Sequence, residues 1–183
     1  MKPFGITSRG FVCLDICLRF VHNHRMPDDL TPSVHTQPGQ LLARGVCRHL
    51  ASHDFVCIEE FTPERGKRVD VIALGPKGEL WVVECKSSRA DFQTDHKWEG
   101  YLDWCDRYFW AVDERFPTDL LPPDTGLIIA DSYDAEIIRM GPETKLAAAR
   151  RKKLTTKFAR NAAQRLHVMR HPGVSAIWGP SEQ

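Results

Sequence analysis

Leu80-Trp-Val-Val-Glu-Cys-Lys86 is the stretch on which the fold turns. It is short, apolar and rich in valine, and it follows the turn signal Gly75-Pro-Lys-Gly78, so it reads as a strand. Alternation along a strand puts Leu80, Val82, Glu84 and Lys86 on one face and Trp81, Val83 and Cys85 on the other. Two ionisable side chains therefore stand on a face that a sheet would bury, about 7 Å apart along the strand. Upstream, Arg68-Val-Asp-Val-Ile-Ala-Leu74 and Phe55-Val-Cys-Ile-Glu-Glu-Phe61 read as two further strands, separated by Pro63 and a turn at Glu64-Arg-Gly66. Three strands so close in sequence pair most simply as an antiparallel meander.

Working outward, Ala43, Val46, Cys47, Leu50 and Ala51 recur at helical spacing, which predicts a helix from Gln40 with one buried stripe. Downstream, Phe92, Trp98, Tyr101, Leu102 and Cys105 fall largely on one face of a helix expected over 91–106. Arg107–Val112, Gly126–Ala130 and Ala135–Met140 are expected strands, and the alanine-rich, basic 144–170 is helix by propensity. The order α-βββ-α-ββ-β-α describes one α/β domain with a mixed sheet over 37–172. Residues 1–36 are turn-rich and aperiodic and read as a poorly ordered extension, within which Met26 is an alternative start; 173–183 read as a tail.

With 183 residues, 42% hydrophobic and 27% charged, the chain has the composition of a globular domain. No apolar run reaches the ~18–20 residues of a membrane span, and 11–21 lacks the uncharged core of a signal peptide. Six cysteines scattered through apolar patterns read as buried thiols of a reducing compartment, the cytoplasm, and Cys13-x-x-x-Cys17 with His22 and His24 has no familiar zinc spacing. The net charge of +1 hides an asymmetry. Between Lys145 and Arg170 lie nine Lys or Arg and no acid, which leaves 16 bases against 24 acids elsewhere. A uniformly basic protein is excluded; a local contact with nucleic acid is not.

The chemistry gathers on the meander. Asp70 shares a face with Arg68 and Ile72, and neighbouring strands lie about 4.8 Å apart, so Asp70 and Glu84 can flank one point. Converging carboxylates repel unless a cation lies between them, and hard oxygen ligands suit Mg²⁺ or Mn²⁺. Lys86 beside such an ion could orient a water or neutralise charge developing on a phosphate.

These residues resemble a known family. Asp70…Glu84-Cys-Lys86 is similar to the D…(E/D)-x-K signature of the restriction-endonuclease-like PD-(D/E)xK nucleases, whose core order α-βββ-α-β matches the reading above. More closely, Arg68-Val-Asp-Val, Trp81-Val-Val-Glu-Cys-Lys-Ser-Ser88, Asp91-Phe-x-x-Asp-x-Lys-Trp98, Tyr101, Cys105-Asp106-Arg107 and Gly126-Leu-Ile-Ile-Ala-Asp131 resemble the MmcB-like bacterial DNA repair proteins. The resemblance implies a nuclease-like fold and a role in DNA repair, with DNA and other repair proteins as partners. It makes Asp70 and Glu84 metal ligands and Lys86 the catalytic lysine. Glu60 would be the fourth carboxylate, on a strand face with Val56 and Ile58; a slip of one residue would substitute Glu59. Val69 stands where the general signature has proline. Where end-processing members carry Q-x-x-x-Y, the chain reads Lys97-Trp-Glu-Gly-Tyr101, so Tyr101 fits and Lys97 does not.

Two segments admit two readings each. Asp91 and Asp95 are either a solvated helix start or the edge of the metal cleft, with Lys97 reaching the phosphate backbone. The tract Arg150, Arg151, Lys152, Lys153 and Lys157 is either a solvated face or a phosphate clamp on a helix docked through Leu154, Phe158 and Leu166. Trp81, Trp98, Trp104 and Trp110 read as core. The expected activity is metal-dependent hydrolysis of DNA phosphodiesters. The alternatives are a non-catalytic DNA-binding or scaffolding factor on the same fold, and a protein-interaction module.

Overall fold

The computed structural model describes residues 37–94 and 97–172. The expectations for 1–36, 173–183, Asp95 and the Cys13–His24 group lie outside these residues. The elements follow as α1 (Pro38–Ala51), β1 (Val56–Glu64), β2 (Lys67–Leu74), β3 (Leu80–Lys86), α2 (Arg89–Thr94), a 3₁₀ turn Trp98–Trp104, β4 (Arg107–Val112), a 3₁₀ turn Thr118–Leu120, β5 (Gly126–Ala130), β6 (Ala135–Arg139) and α3 (Ala148–Arg170). Among them no helix is long and apolar enough to cross a membrane.

The six strands form one mixed sheet in chain order. The first three make the antiparallel meander, β3–β4 and β4–β5 run parallel, and β6 returns antiparallel. Parallel neighbours need crossovers, supplied here by 89–104 and by the loop carrying Thr118–Leu120. Apolar side chains cover both faces. One face holds Leu80, Val82, Tyr108 and Trp110 under Tyr101, Trp104, Phe116, Leu154 and Phe158. The other holds Val71, Val83, Phe109 and Ile128 under Leu42, Ala43, Val46 and Leu50 of α1. The alternation expected for β3 is present, with Leu80 and Val82 facing away from Val83 and Cys85. Gly45 sets how close α1 can come: a Cβ there would lie 2.2 Å from the Asp131 carbonyl oxygen and 2.6 Å from that of Asp134.

Three expectations need correction. The helix expected over 91–106 is instead a six-residue helix and a separate 3₁₀ turn. Trp98, Tyr101 and Trp104 stand three apart, which is the 3₁₀ period, and all three pack against one core. The C-terminal helix begins at Ala148, because the preceding segment is held to the body: Thr144 N–H donates to the Asp106 carbonyl and Leu146 N–H to Asp106 Oδ1. Its buried seam is only Leu154 and Phe158; Leu166 is exposed.

Candidate functional site

β2 and β3 pair from Leu74–Leu80 to Val71–Val83. The next opposed residues are Asp70 and Glu84, where side chains replace the ladder. Asp70 N–H donates to Glu84 Oε1 at 3.2 Å, and Cys85 N–H donates to Asp70 Oδ2 at 2.8 Å. Each carboxylate thus satisfies a main-chain donor where the strands part, a fork that β3 survives because it stays paired with β4 through Lys86–Val112. The sequence expectation that Asp70 and Glu84 come together is met by this exchange.

β3 is a central strand, so its charged end is enclosed: Glu84 is 4% exposed and Lys86 6%. Lys86 Nζ lies 3.9 Å from Glu84 Oε2 and 5.7 Å from the centroid of the Trp110 ring. Burial pushes the Asp70 carboxyl above the usual aspartate range; the Cys85 N–H and Lys86 oppose this, while Glu60 and Asp91 add to it. Burial disfavours the ionised form of Asp70, and Lys86 and the Cys85 amide offset this only in part.

Asp70 opens into a cleft of about 510 Å³. Its walls include Lys86, Ser87, Asp91, Glu59, Glu60 and Arg68, with the first turn of α1 from Gln37 to Gln40 across from them. That turn contains no acid, so its amide dipoles leave one positive wall in an acidic cleft. Glu84 is not among the lining residues and stands behind Asp70.

The argument that put Glu60 on a face with Val56 and Ile58 does not hold. Glu60 has φ of 51°, a left-handed conformation inside a strand. The backbone turns there, so Ile58 and Phe61, which should face opposite ways, join the same core, and Val56 is 56% exposed. Glu59 and Glu60 both reach the cleft as a result. Glu60 is tied up by Arg68, whose Nε lies 2.8 Å from its Oε2. Arg68 is the cleft residue that sequence reasoning missed, although its place on the Asp70 strand was the available signal.

Oxygen donors from Asp70, Glu60, Glu59 and Asp91 around one cleft, with Asp70 under-compensated, fit a hard divalent cation in chemistry. No three His, Cys, Asp or Glu side chains among the described residues are gathered in the arrangement of a ready metal cage. Mg²⁺ is commonly held by one or two carboxylates plus waters and substrate phosphate, so the donor set suffices without such a cage.

The basic candidates separate into several environments. Arg151 is a correction: its guanidinium is spent inside the fold, donating to Asp106 Oδ1 at 2.6 Å, Asp106 Oδ2 at 2.7 Å and the Gly78 carbonyl at 2.6 Å. Arg150 donates to the Asp103 carbonyl and lies 5.1 Å from the Trp104 ring centroid; Lys153 lies 5.4 Å from it. Lys152 is exposed, Lys157 half-buried, and Lys97 exposed in the segment before the first 3₁₀ turn. From the far end of the same helix Arg165, which sequence reasoning did not single out, donates to the Glu60 carbonyl at 3.3 Å.

Residues 26–173 match the family model described as DNA repair protein MmcB-like. The chain is also similar to a solved structure of a protein of unknown function from Silicibacter pomeroyi, with 68% identity and a TM-score of 0.74 over 76% of this chain and 95% of that one. Among curated proteins none matches.

Proposed function

The chain belongs to the MmcB-like family of DNA repair proteins, and from that premise we propose that it is a restriction-endonuclease-like nuclease that hydrolyses DNA phosphodiesters at the Asp70 cleft with Mg²⁺ or Mn²⁺. The observation that carries this reading is the fork: hydrogen bonds tie Asp70 to Glu84 and to the Cys85 amide, Lys86 lies 3.9 Å from Glu84 at the end of a central strand, and burial leaves Asp70 only partly compensated. A divalent cation bound there would supply Lewis-acid activation of water and phosphate. The chain's own residues do the rest. Asp70 presents its carboxylate to the cleft, and Glu84 fixes the Asp70 backbone from behind. Lys86, desolvated against Trp110, holds a positive charge where a phosphate would gain negative charge in the transition state. Glu59, Glu60 and Asp91 are further carboxylates within the same cleft.

One observation favours the second reading, a non-catalytic DNA-binding or scaffolding repair factor. Glu84 is withdrawn from the cleft and engaged with Asp70 N–H and Lys86, as a purely structural carboxylate would be. The experiment that decides is a panel of duplex, branched and single-stranded DNAs with Mg²⁺ or Mn²⁺, using the wild type and Lys86→Ala. A nuclease cleaves at least one substrate and Lys86→Ala slows it by about a hundredfold or more, with DNA affinity nearly unchanged. Equal cleavage by both proteins, or none by either, removes the catalytic reading.

A further inference from the structure

Trp104 ends the first 3₁₀ turn and is nearly buried. Three cations from two elements surround its ring: Lys67 Nζ of β2 at 5.7 Å from the centroid, Arg150 Cζ at 5.1 Å and Lys153 Nζ at 5.4 Å, both from α3. They line a concavity of about 420 Å³. Two carboxylates share it, Glu64 at 3.7 Å from Lys67 and Asp103 at 3.7 Å from Arg150, and no carboxylate among the described residues pairs with Lys153. Like charges gathered on one ring repel each other, and the two acids leave that repulsion incompletely offset.

The positive charge continues. The 23 residues of α3 contain no acid. Lys153, Lys157 and Arg160 follow at i, i+4 and i+7, a stripe turned about 100° from the Leu154–Phe158 seam that docks the helix. Beyond the stripe, on the docked side of the helix, Arg165 meets the carbonyl of Glu60, which lines the Asp70 cleft, about 18 Å along the axis from Lys153.

We propose that the Lys67–Arg150–Lys153 concavity on Trp104 is a phosphate-binding site, the anchor of a DNA backbone track that runs along α3 to the lip of the Asp70 cleft. Its ligand is a phosphodiester group of a nucleic-acid strand. The indole is too enclosed to stack a base, so the contact is to backbone and carries no sequence preference. This inference rests on the DNA-binding half of the reading above and needs no cleavage.

The test is binding of labelled duplex to the full 183-residue chain in EDTA across a salt series. Lys67→Gln, Arg150→Gln and Lys153→Gln together should flatten the slope of log K against log salt by about one, because the three cations share one phosphate and each phosphate contact is worth about 0.9. Lys157→Gln with Arg160→Gln should flatten it by about one to two. Lys152→Gln, on a neighbouring face, should change affinity less than about twofold. Lys153→Gln alone, which breaks no ion pair, should lower the slope measurably, by up to about one, and keeps the test valid if the triple variant misfolds. An unchanged slope in Lys153→Gln, or an equal loss in Lys152→Gln, overturns the proposal. Inorganic phosphate is the second probe: if it saturates the concavity, read as a change in tryptophan emission that Trp104→Phe removes, while DNA affinity ignores the triple substitution, the ligand is a small phosphate and the track is wrong. Failure of the cleavage experiment leaves every one of these readouts standing.

Discussion

Two carboxylates at this sheet, the half-buried Asp70 and the buried Asp106, have opposite surroundings. Asp106 accepts from Leu80 N–H at 2.8 Å, Leu146 N–H at 2.9 Å and both terminal nitrogens of Arg151. Burial alone would raise its carboxyl, but Arg151 and the two amides outweigh burial and hold it below the usual aspartate range. Asp70 accepts one amide, has further acids around it, and titrates above that range. The first is a fastener: it pins the start of β3, the approach to α3 and α3 itself to one point. The second is a carboxylate left short of compensation beside an open cleft, an arrangement that costs stability. Saturation of hydrogen bonds separates the fastened acid from the one proposed to hold the metal.

The sharpest break in this comparison is to remove the fastener. Arg151→Ala leaves Asp106 buried and under-donated, and should cost about 3 kcal/mol in urea unfolding, near the low end for a broken buried pair because the arginine is partly exposed. An effect under about 1 kcal/mol would show Arg151 to be a surface residue after all and return it to the pool of DNA contacts.

Asp70→Asn should do the reverse. Removing an under-compensated anion should leave stability unchanged or raise it by up to about 1 kcal/mol, while calorimetry shows weaker Mn²⁺ binding. A marked loss of stability would make Asp70 a second fastener.

The pH dependence sharpens the contrast because the signs differ. Asp106 has a depressed folded value, so its contribution is complete above the ordinary aspartate value of about 3.9 and is lost as pH falls through the folded value. Asp70 has a raised folded value. Its protonated form is favoured in the folded state, so stability declines as pH rises from about 3.9 through that value. Stability measured against pH should therefore show the Asp70→Asn gain growing with pH over that window, and an Asp106→Asn loss shrinking in acid. Parallel curves for the two variants would abolish the distinction.

The smallest effect concerns Glu60. A left-handed φ costs a side-chain-bearing residue about 1 kcal/mol, so Glu60→Gly should stabilise the fold by about 0.5–1 kcal/mol in the same unfolding assay. A loss would mean that the Arg68 ion pair outweighs the backbone strain.

Much of this was legible in sequence, for identifiable reasons. The strand period of two is rigid, so Leu80–Lys86 disclosed both its faces and the company of Glu84 with Lys86. The meander followed from short turns, and Asp70 faced Glu84 as a consequence. Glu60 was not legible: Glu59-Glu60 carries no turn signature, and a left-handed kink inside a strand reverses the alternation from which its face was argued. Nor was Arg151. A run of Arg150-Arg-Lys-Lys153 reads as one solvated patch, and only tertiary structure pairs its second member with an aspartate 45 residues away. The region 91–106 was ambiguous because residues at 98, 101 and 104 satisfy a period of three as well as a helical face.

The crossed bonds at the fork have one more consequence. The amide protons of Asp70 and Cys85 are held by carboxylate oxygens and not by a neighbouring strand's carbonyls. A carboxylate that gains a proton or a ligand changes the field at the proton it holds. The Cys85 and Asp70 amides are therefore built-in spectroscopic reporters. In a ¹⁵N-resolved spectrum their resonances should move as Asp70 titrates or takes up a cation, while those of Val71 and Val83, one step back inside the regular ladder, stay nearly still.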